Sequence, residues 1–317
     1  MGLFRECSAM KIICQFGDDT ELARLWVDYL QQALPGATVS VWERGMAAAD
    51  FAIVWQPSAE LFEQQPGLKA VFNAGAGVDA FRHIKLSGNI PVYRLEDAGM
   101  ADQMSDYVCQ AVLHHFREMD SYACQAATQV WKSLAPRSKD DFPVGILGFG
   151  IMGKAVAHSL CNLGFRVNAW ARTGQTQQGV TCYAGDGQLE DFLASSRMVV
   201  CLLPLTPATR GILCAKNFGH MPHGSYIINV GRGGHLQEDD LLAALDNGKI
   251  AGATLDVFQQ EPLPADHPFW QHPKVVVTPH IAAATLIEHS VGQIADKITA
   301  LQARLPVSGQ LDPVRGY

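Results

Sequence analysis

Val144-Gly145-Ile146-Leu147-Gly148-Phe149-Gly150-Ile151-Met152-Gly153 is the stretch on which the fold turns. A short apolar run ends in Gly-x-Gly-x-x-Gly, and a helical pattern carrying Ala155, Val156, Ala157 and Leu160 follows. The first glycine permits a tight turn, the second lets backbone approach a pyrophosphate, and the third lets helix pack on strand. The helix start offers free amides and partial positive charge to phosphates. An ordinary glycine-rich turn carries the same letters. The strand before and the helix after favour a dinucleotide site, with Phe149, Ile151 and Met152 filling the positions between the glycines.

Downstream of this stretch, strand-like runs recur at Val167–Trp170, Met198–Leu203, Tyr226–Val230, Ala253–Val257 and Lys274–Val277. A helix over Glu238–Leu245 is stopped by Asn247-Gly248. Upstream, strands are predicted over Lys11–Phe16, Val39–Trp42, Phe51–Trp55 and Lys69–Asn73, and a helix over Glu21–Ala33. Short strands alternating with helices predict parallel sheets covered on both faces. Two long helices are predicted, Ala101–Tyr122 and Leu286–Ala303, with the polar stretch Lys132–Asp141 between the two strand series. The last helix follows a completed strand series, so it is expected to return to the first lobe. The expected architecture is α/β with two doubly wound lobes. A Rossmann-type cofactor domain, 105–282, is inserted into a flavodoxin-like substrate domain, 1–104 plus 283–317, with the site in the cleft.

A chain of 317 residues suits two such lobes. With 48% hydrophobic and 17% charged residues it is globular in composition. A formal charge of -7 and no basic run argue against nucleic acid and anionic membrane as partners. No apolar run approaches the ~20 residues of a membrane span, and no secretory signal is recognisable. The eight cysteines form no Cys-x-x-Cys pair, so most are expected to be small buried hydrophobes in a reducing compartment. No histidine or cysteine spacing predicts a metal site. Met10 reads as an alternative start, with residues 1–9 a loose extension.

The strand that should end in an acidic residue for NAD ends instead in Trp170-Ala171-Arg172-Thr173. Arg172 and Thr173 suit a 2′-phosphate, which favours NADP (NADPH) and leaves NAD possible. Arg172 is otherwise a plain surface arginine. Three polar residues lie at or just beyond predicted strand ends, where open parallel sheets bind ligands: Arg232 in Val230-Gly231-Arg232-Gly233, Glu261 in Gln260-Glu261-Pro262, and His280 in Thr278-Pro279-His280. Taken singly, each is as readily a loop arginine, a turn cap and a buried structural histidine. Together they fit reduction of a 2-keto acid. A planar guanidinium holds the carboxylate and polarises the carbonyl, and an imidazole donates a proton. A carboxylate that favours imidazolium is the third need; Glu261 is the first candidate and Asp256 the next. Val230, Gly231 and Asp256 are also expected to line the cofactor site. In the first lobe, Asn73-Ala74-Gly75-Ala76-Gly77 is either a plain turn or a run of amides for a substrate carboxylate. Trp55 and Arg94 are candidate pocket walls.

These motifs resemble the D-isomer-specific 2-hydroxyacid dehydrogenase family over nearly the whole chain from Met10. The resemblance extends to Leu203-Pro204-Leu205-Thr206-Pro207, which in that family lines the cofactor cleft. Arg94–Met100, His267–Pro273 and Arg315-Gly316-Tyr317 are similar to a subgroup acting on glyoxylate and hydroxypyruvate. The resemblance implies NADPH-dependent reduction of these acids by a cytoplasmic homodimer. It implies Arg232 and His280 as catalytic with Glu261 as the histidine's partner, Ala76 and Gly77 as carboxylate-binding amides, and Ala171-Arg172-Thr173 as an NADP-type site. Two other readings of the same motifs are a phosphoglycerate-dehydrogenase-like enzyme and a nucleotide-sensing regulatory protein.

Overall fold

The computed structural model describes residues 9–75, 77, 81, 84 and 90–312. Ala76, Arg315-Gly316-Tyr317 and all but Ala9 of the N-terminal extension lie outside the described residues. The chain divides into two compact units, one from residues 1–99 with 285–317 and one from residues 100–284.

The first unit begins β1 (Met10–Phe16), α1 (Thr20–Ala33), β2 (Ala37–Val41), β3 (Phe51–Trp55), α2 (Ala59–Gln64), β4 (Ala70–Asn73) and β5 (Val92–Tyr93). Asp19 caps α1 by accepting from the Leu22 amide, and Ala23, Trp26 and Leu30 form its buried stripe. The five strands pair in parallel in the order β2-β1-β3-β4-β5, the flavodoxin-like order.

The second unit runs α3 (Met100–Phe116), α4 (Met119–Ala127), β6 (Val144–Leu147), α5 (Ile151–Asn162), β7 (Val167–Ala171), β8 (Val180–Ala184), α6 (Leu189–Ala194), β9 (Met198–Cys201), α7 (Ala215–His220), β10 (Ser225–Asn229), α8 (Glu238–Asp246), β11 (Ile250–Leu255) and β12 (Val275–Val277). Its sheet is parallel throughout, in the order β12-β11-β10-β9-β6-β7-β8. Side chains alternate across it. Met198 and Val200 of β9 and Tyr226 and Ile228 of β10 join α3 and α5 in one core. Val199, Cys201 and Ile227 join Phe192, Phe218 and Leu241 in the other. The strand order reverses between β6 and β9, which makes their carboxyl ends a topological switch point. The final helix, α9 (Ile287–Gln302), belongs to the first unit, where Glu288 Oε1 accepts from the Tyr29 hydroxyl at 3.5 Å.

Two expectations need correction, and several short elements were not anticipated. The helix expected over Ala101–Tyr122 is two helices, α3 and α4. Glu118 breaks it in the left-handed region at φ 54°, and Arg137 fixes the break by pairing with Glu118 at 2.7 Å and donating to the His115 carbonyl at 3.0 Å. The strands β5 and β8 and the short helices α2, α6 and α7 carry too little periodic sequence to be foreseen. The cysteines are not mostly buried: among those described only Cys14 and Cys201 are, Cys124 is exposed, and the rest are intermediate. Burial pushes both buried thiols up to about 12, so they stay protonated.

Candidate active site

In the second unit, the loops after β6, β7, β9, β10, β11 and β12 all leave the same carboxyl edge of one parallel sheet. The glycine motif follows β6. Gly148 sits at φ +103°, and a Cβ there would lie 2.9 Å from the Leu202 carbonyl. A Cβ on Gly153 would lie 2.0 Å from the Gly148 carbonyl oxygen, so α5 rests directly on the turn. Around Gly150, by contrast, nothing lies within 4 Å of a Cβ position. Gly150 caps α5 with no side chain over the helix amides, and the first turn holds no acidic residue. Phe149 is buried, while Ile151 is half exposed. The geometry fits a dinucleotide pyrophosphate: two glycines make the turn possible and the third leaves room above free amides.

Ala171 closes β7, and its carbonyl accepts from the Gly185 amide at 3.0 Å. Arg172 and Thr173, just beyond, are exposed, as a pair meeting a 2′-phosphate must be. Leu203 is buried behind β9, and Pro204 and Thr206 form a turn tied by the Thr209 hydroxyl. That hydroxyl donates to the Pro204 carbonyl at 2.7 Å and accepts from the Thr206 amide at 2.8 Å.

Arg232 leaves β10 on a shaped loop. Its amide donates to His235 Nδ1 at 3.1 Å, its carbonyl accepts from Asn229 Nδ2 at 3.2 Å, and its Nη1 donates to the Gly231 carbonyl at 2.7 Å. Val230 and Gly231 are buried at its base. Gly233 has no room for a side chain, since a Cβ would lie 1.8 Å from the Phe258 carbonyl carbon. The Arg232 loop therefore packs backbone to backbone on the loop after β11. That second loop carries Glu261, whose Oε1 accepts from the Phe258 amide at 3.0 Å. Its other oxygen, Oε2, lies 2.8 Å from His280 Nδ1. The histidine and glutamate side chains are 46% and 37% exposed, so Nε2 of the ring is open to a ligand and to solvent.

Asp256 is placed differently. It is 1% exposed. Its Oδ1 accepts from the Thr278 hydroxyl at 2.6 Å and the Ile281 amide at 2.8 Å, and Oδ2 from the Ala282 amide at 2.9 Å. This carboxylate shapes the His280 loop, and the histidine's partner is Glu261. Two further residues complete this support: Thr278, which opens the Thr278-Pro279-His280 motif, and Tyr107, which nothing in the sequence singles out. The one hydroxyl proton of Thr278 goes to Asp256, so Tyr107 donates to Thr278, at 2.5 Å. Burial pushes the Tyr107 phenol up to about 12, against the Thr278 hydrogen bond and helped by the Asp256 charge, so it remains a donor. His280 itself sits at φ 56°, a left-handed conformation uncommon for a side-chain-bearing residue. Its amide donates to the Asp256 carbonyl at 2.9 Å, which helps hold it there.

In the first unit, Trp55 ends β3 with its ring against Gly75, where a Cβ would lie 2.4 Å from the indole. Asn73 Nδ2 donates to the Gly75 carbonyl at 2.8 Å and the Gly77 carbonyl at 2.6 Å. Both carbonyls are thus turned toward Asn73. Arg94 follows β5 and is partly buried. Among the described residues no cluster of His, Cys, Asp and Glu is placed to hold a metal ion, and no helix is long and apolar enough to cross a membrane.

Residues 109–282 match the family model described as D-isomer specific 2-hydroxyacid dehydrogenase, NAD binding domain. The chain is 47% identical over 302 residues to glyoxylate/hydroxypyruvate reductase A of Yersinia enterocolitica, covering 93% of this chain and 96% of that one. A D-isomer specific 2-hydroxyacid dehydrogenase from Xanthobacter autotrophicus Py2, solved with NADPH and MES, superposes with a TM-score of 0.91 at 39% identity, covering 96% and 99% of the two chains. The NADPH-dependent glyoxylate/hydroxypyruvate reductase of Sinorhizobium meliloti, solved with NADP and sulfate, gives 0.91 at 34% identity, covering 97% and 100%.

Proposed function

This chain belongs to the D-isomer-specific 2-hydroxyacid dehydrogenase family of NAD(P)-dependent oxidoreductases, and on that footing we propose that it uses NADPH to reduce glyoxylate to glycolate and hydroxypyruvate to D-glycerate. The observation that carries the reading is the hydrogen bond between Glu261 and His280, built on loops at the carboxyl edge of a dinucleotide-binding sheet. Relatives named for these two substrates, and solved relatives holding NADPH or NADP, support the choice of acid and cofactor.

The nicotinamide, when bound, supplies the hydride to the carbonyl carbon. Arg232 holds the substrate carboxylate and polarises the carbonyl with a fork that stays charged throughout. His280 carries a proton on Nε2 and delivers it to the oxygen as the carbonyl becomes an alcohol. Glu261 accepts from Nδ1, which fixes the ring's orientation and turns Nε2 away from the carboxylate. Afterwards the ring is neutral with its remaining proton on Nδ1, and the exposed Nε2 is reprotonated from solvent. The Ala76 and Gly77 amides receive the substrate carboxylate, Trp55 walls the pocket, and Arg94 adds charge to it. Gly148, Gly150 and Gly153 hold the pyrophosphate, and Arg172 with Thr173 holds the 2′-phosphate. Phe149, Ile151, Met152, Ala171, Leu203, Pro204, Thr206, Val230, Gly231 and the loop shaped by Asp256 line the remainder of the cofactor site. The working protein is a cytoplasmic homodimer.

The test is His280→Ala in an NADPH-oxidation assay with hydroxypyruvate. Turnover is expected to fall by ~10²–10⁴-fold with NADPH affinity kept. Turnover close to that of the parent protein would remove His280 from its role.

A further inference from the structure

Arg94-Leu95-Glu96 leaves β5 without regular secondary structure, yet its backbone groups are engaged almost one after another. The Arg94 amide donates to the Gly309 carbonyl at 2.9 Å. The Arg94 carbonyl accepts from Lys297 Nζ at 2.9 Å. The Leu95 amide donates to the Gly75 carbonyl at 3.4 Å. The Glu96 amide donates to Gln293 Oε1 at 2.8 Å, and the Glu96 carbonyl accepts from Gln293 Nε2 at 2.7 Å. One carboxamide thus meets both backbone groups of a single residue, as a neighbouring strand would. Gln293 and Lys297 stand four residues apart on α9, one above the other on the same face.

Lys297 is a costly residue to place here. It is 8% exposed, and a buried ammonium is tolerated only when its protons are taken up. Its three donors find three acceptors: the Arg94 carbonyl, the Ser308 carbonyl at 3.0 Å and Glu96 Oε2 at 3.2 Å. The Ser308 hydroxyl also donates to Glu96 Oε2, at 2.5 Å. Burial alone would raise the Glu96 carboxyl, but the hydrogen bonds from Ser308 and Lys297 and the charges of Lys297 and Arg94 outweigh it and hold it below its ordinary value. Gly309 at φ +77° seals the cluster, since a Cβ there would lie 2.7 Å from Lys297 Nζ. Apolar packing would stabilise this place as well as an ion pair does. What an apolar side chain cannot do is donate to the Arg94 carbonyl, which adjoins the Leu95 amide that donates to Gly75.

We propose that Gln293 and Lys297 are positioning residues, which set the Arg94 guanidinium in register with the glycine segment for a substrate carboxylate. The proposal rests on the reading that Arg94 faces the substrate. Holding a charged fork to its partner's geometry decides how much of a charge-assisted contact is realised, so the effect belongs in substrate affinity.

The experiment measures kcat and KM for hydroxypyruvate, and KM for NADPH, in Gln293→Met, Arg94→Gln and the double variant. Gln293→Met is expected to raise the keto-acid KM by roughly 10-fold, with kcat and the NADPH KM within about twofold of the parent. In the Arg94→Gln background the same substitution is expected to add less than about twofold, because the group it positions is gone. A Gln293→Met variant with unchanged keto-acid KM, while Arg94→Gln raises it, overturns the proposal. So does an equal effect of Gln293→Met in both backgrounds. An Arg94→Gln variant with unchanged KM instead overturns the underlying reading of Arg94. Glu96→Gln/Lys297→Met, which removes both charges and leaves neither ion stranded, carries the same comparison if Gln293→Met does not fold.

Discussion

Glu261→Gln isolates the charge behind His280 with almost no change of shape. Glu261 accepts twice, from the Phe258 amide at 3.0 Å and at His280 Nδ1 at 2.8 Å. A carboxylate has two acceptor oxygens for these two donors, and a carboxamide has one oxygen and one NH₂. If the Gln oxygen stays on the Phe258 amide, the NH₂ faces Nδ1 and forces the proton off it. If the oxygen faces Nδ1, the NH₂ opposes the Phe258 N–H. Either way one charge-assisted hydrogen bond is lost, worth about 1.5–3 kcal/mol. The pair is partly open to solvent, which places the effect toward the lower end. At about 1.4 kcal/mol per tenfold, kcat/KM for hydroxypyruvate is expected to fall by roughly 10- to 100-fold. The NADPH dissociation constant, read by nucleotide fluorescence, should hold, because the glycine turn and Arg172 are untouched. Activity within about twofold of the parent would show that the carboxylate neither orients nor charges the imidazole in the reacting complex.

Arg172→Ala is expected to raise the NADPH KM by roughly 10- to 100-fold, the loss of a charge-assisted phosphate contact, and to leave the NADH KM within about twofold. Equal changes for the two nucleotides, measured in parallel titrations, would detach Arg172 from the 2′-phosphate. His115 stacks on Tyr226 at 4.0 Å, and burial, helped by the charge of Arg137, lowers it from 6.5 to about 4. Its folded value lies below its unfolded one, so its contribution to stability is complete above about pH 6.5 and is lost as pH falls toward 4. That shift amounts to about 3 kcal/mol in all, of which about 2 kcal/mol is gone by pH 5. Urea midpoints at pH 7 and pH 5 should therefore differ less in His115→Phe than in the parent, and an unchanged difference would refute the linkage.

The glycine stretch at 144–153 and the regular spacing of apolar strands made both sheets legible. A strand buried on both faces, such as Phe51–Trp55, needs a continuous apolar run and shows it. β8 left no such mark because an edge strand is only half buried, and Val180–Ala184 mixes Thr181, Cys182 and Tyr183 accordingly. The break at Glu118 was hidden because Arg137, nineteen residues later, stabilises it. For the candidate site, the local motifs of Arg232, Glu261 and His280 singled those residues out, and the fold brings Glu261 and His280 within hydrogen-bond distance. Asp256 was visible as a strand-end acid, but only three dimensions show its oxygens taken by the 278–282 loop. Tyr107, Gln293 and Lys297 act through hydrogen bonds spanning from 171 to 203 positions in the chain, and no local pattern encodes such contacts. Lys297 in particular reads as one more solvated lysine until its three acceptors are counted.

The most direct measurement follows NADPH oxidation by the purified protein with glyoxylate, hydroxypyruvate, pyruvate and 3-phosphohydroxypyruvate. Rapid oxidation with glyoxylate and hydroxypyruvate, well above that with the other two, is the predicted result. Tight NADPH binding with no turnover of any of the four, or turnover confined to 3-phosphohydroxypyruvate, would contradict it.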